Sequence, residues 1–266
     1  MAESKTPRVA FVTGAAQGLG RAIALRLAKD GLTVAINDLP RSEEKLEAVA
    51  EEIRALGRDA SIHPADVTNE EAIKNMIDAV VEKHGSLDVM VANAGVLIPA
   101  PFLELTTEIW DRSFDINCRS VFLCYRYAAD QMVKQGKGGR IIGASSFGGK
   151  SGVQHANISA YVGTKFAVRG LTQAAAGELG KYGITVNAYA PGVIDTEMSQ
   201  RYIEKYSKEL FNMTPEQFGQ FFASQIPMRR GGVPEDITGL VSYLASEEAS
   251  FITGQTISVN GGTYCD

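Results

Sequence analysis

The stretch RVAFVTGAAQGLGRAIALRLAKDG, residues 8–31, decides the fold of this chain. A β-branched apolar run leads into a glycine-rich turn, and the residues after the turn carry apolar side chains at helical spacing. Gly31 is a typical residue to end such a helix. The stretch therefore predicts a strand, a tight turn and a helix, which is the repeating unit of a sheet with parallel strands.

Short apolar runs alternate with longer amphipathic segments along the rest of the chain. Further strands are predicted at residues 33–38, 60–67, 87–95, 139–146, 184–192 and 254–262. Helices are predicted at residues 42–57, 69–85, 107–135, 160–181 and 234–246. This order predicts the α/β class: a doubly wound Rossmann fold, with a parallel seven-stranded sheet and helices on both faces. No Pro/Ser linker divides the chain, so residues 1–266 are predicted to form a single domain.

Residues 197–230 interrupt the alternation, because they contain no strand and are predicted to be an inserted pair of helices. The segment is rich in large apolar side chains: Met198, Tyr202, Tyr206, Phe211, Phe218, Phe221 and Phe222. They are either extra core or a lid over an apolar substrate, since binding clefts are commonly lined by aromatic rings.

Composition excludes several classes of protein. The formal net charge of -5 and the pI of about 5.4 argue against a nucleic-acid surface, which needs clustered Lys and Arg. No apolar run approaches the roughly 20 residues that span a bilayer, and no secretory signal pattern precedes the first strand. We therefore expect a cytoplasmic protein. Its cysteines, Cys118, Cys124 and Cys265, lack the spacing of metal ligands, so no metal site is predicted.

The glycine-rich turn is predicted to bind the pyrophosphate of a dinucleotide. Glycines let the backbone approach the phosphates closely, and the N-terminus of the following helix stabilises their negative charge. The predicted contacts come from Gly14, Gln17, Gly18, Leu19 and Gly20.

Asp38 ends the second predicted strand at about the distance from Gly20 that such sites show. A carboxylate there accepts hydrogen bonds from both hydroxyls of an adenosine ribose and repels a 2′-phosphate, so the predicted cofactor is NAD(H). Two alternatives stay open. Asp38 could be a turn residue before Pro40, and Arg41 could weaken the exclusion of a phosphate.

The next two strand ends are also predicted to face the cofactor, because ligands bind at the carboxyl ends of parallel strands. Asp66 and Val67 follow the third strand, near the adenine. Asn93 and Gly95 follow the fourth, where small residues permit close packing. Each pair could equally be a simple turn.

Spaced motifs along the chain resemble the short-chain dehydrogenase/reductase family. They are TGAAQGLG, ANAG, Asn117 in DINCRSVF, the serines of GASS, YVGTK and PGVIDT, in the family's order over about residues 8–262. Residues 165–198 are also similar to acetoin/diacetyl reductases, which are butanediol dehydrogenases. The resemblance implies an oxidoreductase that interconverts a secondary alcohol and a ketone, and a homotetramer or homodimer.

Tyr161 is the expected general acid/base. A free phenol has a pKa near 10, and Lys165, four residues on along the same helix, is expected to lower it. The resemblance assigns Ser146 to the substrate oxygen, Asn117 to a water beside Lys165 in a proton relay, and Lys165 also to the nicotinamide ribose. By the same resemblance, Tyr161 and Lys165 contact the cofactor.

PGVIDT is expected to supply further cofactor contacts from Pro191, Gly192, Ile194 and Thr196. Ile194 would pack on the nicotinamide and Thr196 would bond its carboxamide. Thr196 as a helix N-cap is the alternative, and the two roles are compatible.

One departure from the family pattern concerns the active-site serine, which the family usually places 13 residues before the tyrosine. Gly148 stands there, and aligning the strand instead selects Ser146 over Ser145. The longer loop that results, residues 147–159, is expected to border the substrate through Gln154, His155 and Asn157, although His155 could be a simple loop residue.

The leading hypothesis is an NAD(H)-dependent dehydrogenase acting on an acetoin- or diol-like substrate, a polyol or a bulkier apolar alcohol. The alternatives are a 3-ketoacyl reductase of lipid synthesis, which usually uses NADP(H), and a non-catalytic NAD-binding scaffold. Such scaffolds typically lose the tyrosine or the lysine, and both are present. No Ser-His-Asp set is expected, and His63 and His84 suggest no catalytic role.

Overall fold

A computed structural model describes residues 7–153 and 157–265. The seven strands are β1 (Val9–Thr13), β2 (Thr33–Asn37), β3 (Ala60–Ile62), β4 (Val89–Ala92), β5 (Gly139–Ala144), β6 (Ile184–Pro191) and β7 (Thr256–Val259). They form one sheet in the order β3-β2-β1-β4-β5-β6-β7, and every neighbouring pair is parallel. The predicted doubly wound fold is confirmed.

The helices are α1 (Gly18–Lys29), α2 (Glu43–Ala55), α3 (Glu70–His84), α4 (Thr107–Phe114), α5 (Ser120–Gln135), α6 (Ser159–Leu179), α7 (Glu197–Phe211), α8 (Pro215–Gln225) and α9 (Pro234–Ala245). Apolar side chains of α1, α2 and α9 pack on one face of the sheet, and those of α3, α5 and α6 pack on the other. No helix in the described ranges is long and apolar enough to cross a membrane.

The position of β1 in the sheet explains why residues 9–12 are all apolar. Ala10 and Val12 face one core, Val9 and Phe11 face the other, and all four are buried. Strands covered by helices on both faces need apolar residues at every position rather than at alternate ones.

The predicted helix at residues 107–135 is not regular. α4 and α5 are joined by a π-helical turn, Asp115–Arg119, which holds Asn117. Such a turn accommodates an extra residue without breaking the apolar face, so the apolar pattern of the sequence did not reveal it.

The third strand is shorter than predicted and ends at Ile62 rather than near residue 67. Beyond Ile62 the segment stays bonded to β2 through the His63 and Ala65 N–H groups, and the Asn37 amide donates to the carbonyl oxygens of the same two residues, at 2.8 and 3.0 Å. Pro64 lies between them and has no N–H to donate.

The insert at residues 197–230 contains α7 and α8, as predicted. Phe218 packs against Phe211 and Phe222, with ring centroids 4.8 and 5.9 Å apart, so these rings form a small core of their own. The Tyr206 hydroxyl donates to the Pro99 carbonyl at 3.4 Å and ties α7 to the segment after β4.

Candidate active site

The glycine-rich turn is tight in ways that only glycine allows. Gly14 and Gly18 have φ angles of +65° and +57°, in the left-handed region. A Cβ on Gly20 would lie 2.1 Å from the Gly14 carbonyl oxygen, so α1 packs directly on the turn. Leu19 packs against the core and anchors the first turn of α1.

The N-terminus of α1 is suited to an anion. No side chain of the described residues caps it, and its first turn carries no acidic residue. Backbone N–H groups at such an end, together with the helix dipole, favour a bound phosphate. The turn and the helix end therefore fit the pyrophosphate of a dinucleotide.

Gln17 precedes this helix and connects three segments of the chain. Its amide donates to Glu197 at 2.6 Å and accepts from the Lys45 ammonium at 2.9 Å. Neither partner was predicted from the sequence. Glu197 is 180 positions away and Lys45 is 28, and neither carries a motif of its own.

Asp38 lies at the end of β2 beside the turn. Its carboxylate accepts from the Ala16 N–H at 3.1 Å and from the Leu39 N–H at 2.8 Å. The acidic group is thus fixed against the backbone of the glycine-rich turn, where the ribose of a bound dinucleotide is expected.

Asp66 and Val67 occupy the loop after β3. The Asp66 carboxylate accepts from the Thr68 N–H and hydroxyl, both at 2.9 Å, which is the local turn that the sequence left open. The Asp66 side chain is exposed and Val67 is buried. The adenine contact of this pair stays a prediction.

Asn93, at the end of β4, stabilises the glycine-rich turn by hydrogen bonds. Its amide nitrogen donates to the Thr13 and Gly14 carbonyl oxygens, at 2.8 and 3.1 Å. A Cβ on Gly95 would lie 3.1 Å from Asn117 Oδ1 and 3.6 Å from Lys165 Nζ, so this glycine lets the turn and the predicted catalytic groups meet.

Tyr161 and Ser146 are brought together from α6 and from the end of β5. The Tyr161 phenol is hydrogen-bonded to the Ser146 hydroxyl, which also accepts from the Gly148 N–H at 3.1 Å. Ser145 instead donates to the Lys165 carbonyl at 3.0 Å and supports the backbone of α6. The geometry favours Ser146 over Ser145 as the serine next to the reacting oxygen.

Lys165 is buried beside Tyr161, with Nζ 5.4 Å from the centre of the tyrosine ring. It donates to the Ala144 carbonyl at 2.8 Å. Burial lowers the pKa of Lys165 to about 8, and the nearby Cys118 thiol opposes this shift.

The expectation that Lys165 lowers the pKa of Tyr161 is wrong for this structure. Desolvation by burial raises the pKa of the Tyr161 phenol, and only its hydrogen bond to Ser146 acts in the opposite direction. Desolvation by burial also lowers the pKa of Lys165, so burial is the largest cause of the pKa shift of both groups.

The Asn117 side chain supports the segment after β4, and its predicted role in holding a water beside Lys165 stays a prediction. It is fully buried, accepts from the Val96 N–H at 2.7 Å and donates to the Val96 carbonyl at 2.8 Å. Both ends of the amide are therefore used to hold the segment after β4.

The residues of PGVIDT line the opposite side of the turn. β6 ends at Pro191, and a Cβ on Gly192 would come within 3.0 Å of Asn260. Ile194 is buried in the core beneath α9. Thr196 caps α7 by accepting from the Ser199 N–H, and its methyl group would lie 3.7 Å from a Cβ on Gly18. The capping alternative for Thr196 therefore holds alongside its position at the turn.

The loop before Tyr161 is described at residues 147–153 and 157–159, and it is tied to the segment after β4. The Ala100 N–H donates to the Asn157 carbonyl at 2.7 Å, and Ala100 and Ile158 form a parallel bridge. Together with the bond from Tyr206 to Pro99, this joins the loop, the segment after β4 and α7. Gln154 and His155, which were predicted to border the substrate, lie outside the described residues.

A Ser-His-Asp row occurs at the sheet edge, contrary to expectation. Ser61 Oγ is 2.8 Å from His84 Nε2, and His84 Nδ1 is 3.3 Å from the Asp59 carboxylate. Ser61 is also bonded to His63 at 2.8 Å and is buried, as is the His84 ring. A buried serine cannot meet a substrate, so the row joins α3 to β3 rather than performing acyl transfer. The described part of the chain contains no cluster of ligands for a metal ion.

Comparison with known proteins defines the class. A family model described as enoyl-(acyl carrier protein) reductase matches residues 14–264. A short-chain dehydrogenase/reductase of Armillaria gallica is 49% identical over 97% of both chains. The L-2,3-butanediol dehydrogenase of Corynebacterium glutamicum is 43% identical over 96% of this chain and 98% of its own. A 3-oxoacyl-[acyl-carrier-protein] reductase of Staphylococcus aureus is 42% identical, over 98% and 99%.

Solved structures agree with this family. Carveol dehydrogenase from Mycobacterium avium, in complex with NAD, has a TM-score of 0.90 and 30% identity, covering 97% of this chain and 98% of its own. Actinorhodin polyketide ketoreductase with NADPH has a TM-score of 0.91 and 33% identity, covering 97% of both chains. The chain belongs to the short-chain dehydrogenase/reductase family, whose members are oxidoreductases that act on alcohol and ketone groups with a nicotinamide cofactor.

Proposed function

We propose that the protein is an NAD(H)-dependent oxidoreductase that interconverts a secondary alcohol and a ketone. The observation that carries this proposal is the group formed by Ser146, Tyr161 and Lys165. It lies at the carboxyl end of the sheet, on the same edge as the glycine-rich turn and Asp38. A bound nicotinamide supplies or accepts the hydride.

The side chains perform the proton part of the reaction. In ketone reduction, the Tyr161 hydroxyl donates its proton to the substrate oxygen, and in alcohol oxidation the phenolate takes it back. The raised pKa of Tyr161 keeps the phenol protonated at neutral pH, as a general acid requires. The Ser146 hydroxyl donates to the same oxygen and stabilises the charge that develops there. Lys165, held by Ala144, restores the proton to Tyr161, together with a water near Asn117.

Asp38 supports NAD(H) over NADP(H). Two backbone N–H groups hold its carboxylate against the turn. A 2′-phosphate at this position would meet a fixed negative charge, whereas ribose hydroxyls would find an acceptor. Complexes with either cofactor occur among the structural relatives, so the preference rests on this residue.

The substrate is proposed to be a vicinal diol or its ketone, a polyol or a bulkier apolar alcohol. The name of the butanediol dehydrogenase relative supports the first, and that of carveol dehydrogenase supports the last. Aromatic side chains of α7 and α8 support an apolar substrate beneath a lid. The protein is further proposed to act in the cytoplasm as a homotetramer or homodimer, without nucleic-acid or membrane partners.

A 3-ketoacyl reductase is the second candidate, because the reductase of Staphylococcus aureus matches nearly the whole chain. A ketoacyl thioester would be reduced with NADPH by the usual member of that class, and Asp38 argues against this. A non-catalytic NAD-binding scaffold would not need Tyr161 and Lys165 beside Ser146.

The test is the oxidation of NADH and NADPH with acetoin, cyclic ketones and a ketoacyl thioester, followed by absorbance. We expect NADH to be preferred with a small ketone, and a strong preference for NADPH would refute the assignment to Asp38. Tyr161→Phe should lower kcat by about 100-fold or more, because the proton donor is lost, while the Kd for NADH stays unchanged. Full activity in that variant would refute the role of Tyr161.

A further inference from the structure

We infer that Tyr189 is a positioning residue for the dinucleotide, acting through Asn93 on the glycine-rich turn. This inference rests on the proposed function, because it concerns the same cofactor site. Tyr189 lies in β6, is fully buried and was predicted only as a residue of the sixth strand. Its hydroxyl is 2.7 Å from Asn93 Oδ1.

The direction of the hydrogen bonds follows from their partners. The carbonyl oxygens of Thr13 and Gly14 can only accept, so the NH₂ end of the Asn93 amide must face them. The oxygen end then faces Tyr189, whose hydroxyl donates to it. The hydroxyl therefore holds Asn93 in the orientation in which both turn carbonyls are bonded.

The small side chain of Ala144 allows the Tyr189 side chain to extend as far as Asn93. Tyr189 is on β6 and Asn93 follows β4, with β5 between them in the sheet. Ala144 pairs with Tyr189 and belongs to the same core. Its small side chain leaves room for the phenol ring to extend across β5. The Ala144 carbonyl also accepts from Lys165, so the residue paired with Tyr189 contacts a predicted catalytic group.

A displaced Asn93 would change the surface that meets the pyrophosphate. The Asn93 amide nitrogen lies 2.6 Å from where a Cβ on Gly20 would stand, so the amide packs against both the turn and the start of α1. The Gly14 carbonyl that it binds belongs to a residue with a positive φ angle. Movement of Asn93 therefore shifts the backbone N–H groups that are predicted to bind phosphate.

Tyr125 provides a matched control. It is also buried, on the opposite face of the sheet, and its hydroxyl makes one hydrogen bond, to Thr172 at 3.0 Å. Replacing either tyrosine with phenylalanine removes one buried hydroxyl at nearly constant volume. Only the change at Tyr189 removes a hydrogen bond that holds Asn93 against the glycine-rich turn.

The experiment compares Tyr189→Phe, Tyr125→Phe and the wild type by NADH binding, steady-state kinetics and urea unfolding. We expect Tyr189→Phe to raise the Kd and KM for NADH at least about fivefold, because a buried acceptor loses its donor, with kcat changed less than about twofold. Tyr125→Phe should lower the unfolding midpoint by a similar amount and leave the Kd unchanged. An unchanged Kd in Tyr189→Phe, or an equal weakening in Tyr125→Phe, would overturn the inference.

Asn93→Ala supplies a second route if Tyr189→Phe does not fold. It should weaken NADH binding by at least as much, and an unchanged Kd would overturn the inference. In the double variant, Tyr189→Phe should add no further loss, because the two residues act in series; independent effects would count against it.

Hydrogen exchange of the protein without cofactor separates this inference from the proposed function. Amides of residues 13–20 should exchange faster in Tyr189→Phe than in the wild type and Tyr125→Phe. Equal exchange would overturn the link through Asn93. If the wild type binds neither NADH nor NADPH, the proposed function fails, even where faster exchange still supports the link.

Discussion

Lys165 shows how a candidate catalytic residue is held at a cost to stability. Its ammonium is nearly fully buried, and its pKa is about 8 instead of 10.5. Below pH 8 the folded protein must therefore keep a charge that burial disfavours. The unfolded chain binds this proton more readily, so the residue opposes folding at neutral pH.

Replacement of this lysine should make the protein inactive and more stable. We expect Lys165→Met to raise the free energy of unfolding at pH 7 by about 1–2 kcal/mol, since the cost of the buried charge exceeds the lost bond to Ala144. The gain should shrink as pH rises through about 8 towards 10.5, because wild-type Lys165 loses its proton. Urea unfolding at several pH values measures this, and a gain that does not depend on pH would contradict the pKa assignment.

At the scale of the element, the turn between β1 and α1 determines more of the site than any other segment. Asp38 and Asn93 contact it from different directions, and Gln17 within it bonds to Glu197 of α7. Its shape depends on glycines. Where a side chain would stand at these positions, backbone and amide atoms of nearby residues pack instead.

A methyl group at Gly20 should therefore strongly weaken the binding of the cofactor. The Cβ of Gly20→Ala would lie 2.1 Å from the Gly14 carbonyl oxygen, and we expect the Kd for NADH to rise about 100-fold or more as the turn opens. Gly239→Ala is the control, because this glycine lies within α9 and a Cβ there meets no atom within 4 Å. That variant should gain about 0.5–1 kcal/mol in stability with an unchanged Kd. Isothermal calorimetry measures the two affinities, and equal values would contradict the role of the turn.

For the molecule as a whole, the pH dependence of stability below neutral pH should come in part from the sheet edge, which is distant in sequence from the candidate site. His63 contacts Ser61, which contacts His84, which contacts Asp59. Burial lowers the pKa of His63, and together with the smaller effects of the nearby His84 and Lys83 brings it to about 4. Burial also lowers the pKa of His84, against the attraction of Asp59.

Stability should fall as pH falls from about 6.5 towards 4, because the unfolded chain takes up a proton that folded His63 resists. His63→Gln, which cannot titrate, should lose a smaller part of its urea midpoint between about pH 7.5 and pH 5 than the wild type does. Comparing the two proteins removes the contribution of carboxylates, which titrate in both. An equal loss would show that His63 is not responsible.

The sequence by itself determined the sheet and the turn, and it selected the candidate reacting groups. Strand-to-helix alternation and buried apolar runs are local properties, and the glycines of the turn are required by its backbone geometry. Tyr161 and Lys165 could be predicted together because four residues along a helix bring side chains onto one face. Ser146 was predicted from the resemblance to the family, after the end of the fifth predicted strand was aligned with it.

Only the tertiary structure decided how these groups are supported. The bond of Asn117 to Val96, the reach of Tyr189 to Asn93 and the raised pKa of Tyr161 depend on segments far apart in the chain. The physical reason is that local sequence fixes backbone conformation and residue type. Hydrogen-bond partners and burial, which set orientation and pKa, are determined only when distant strands pack side by side.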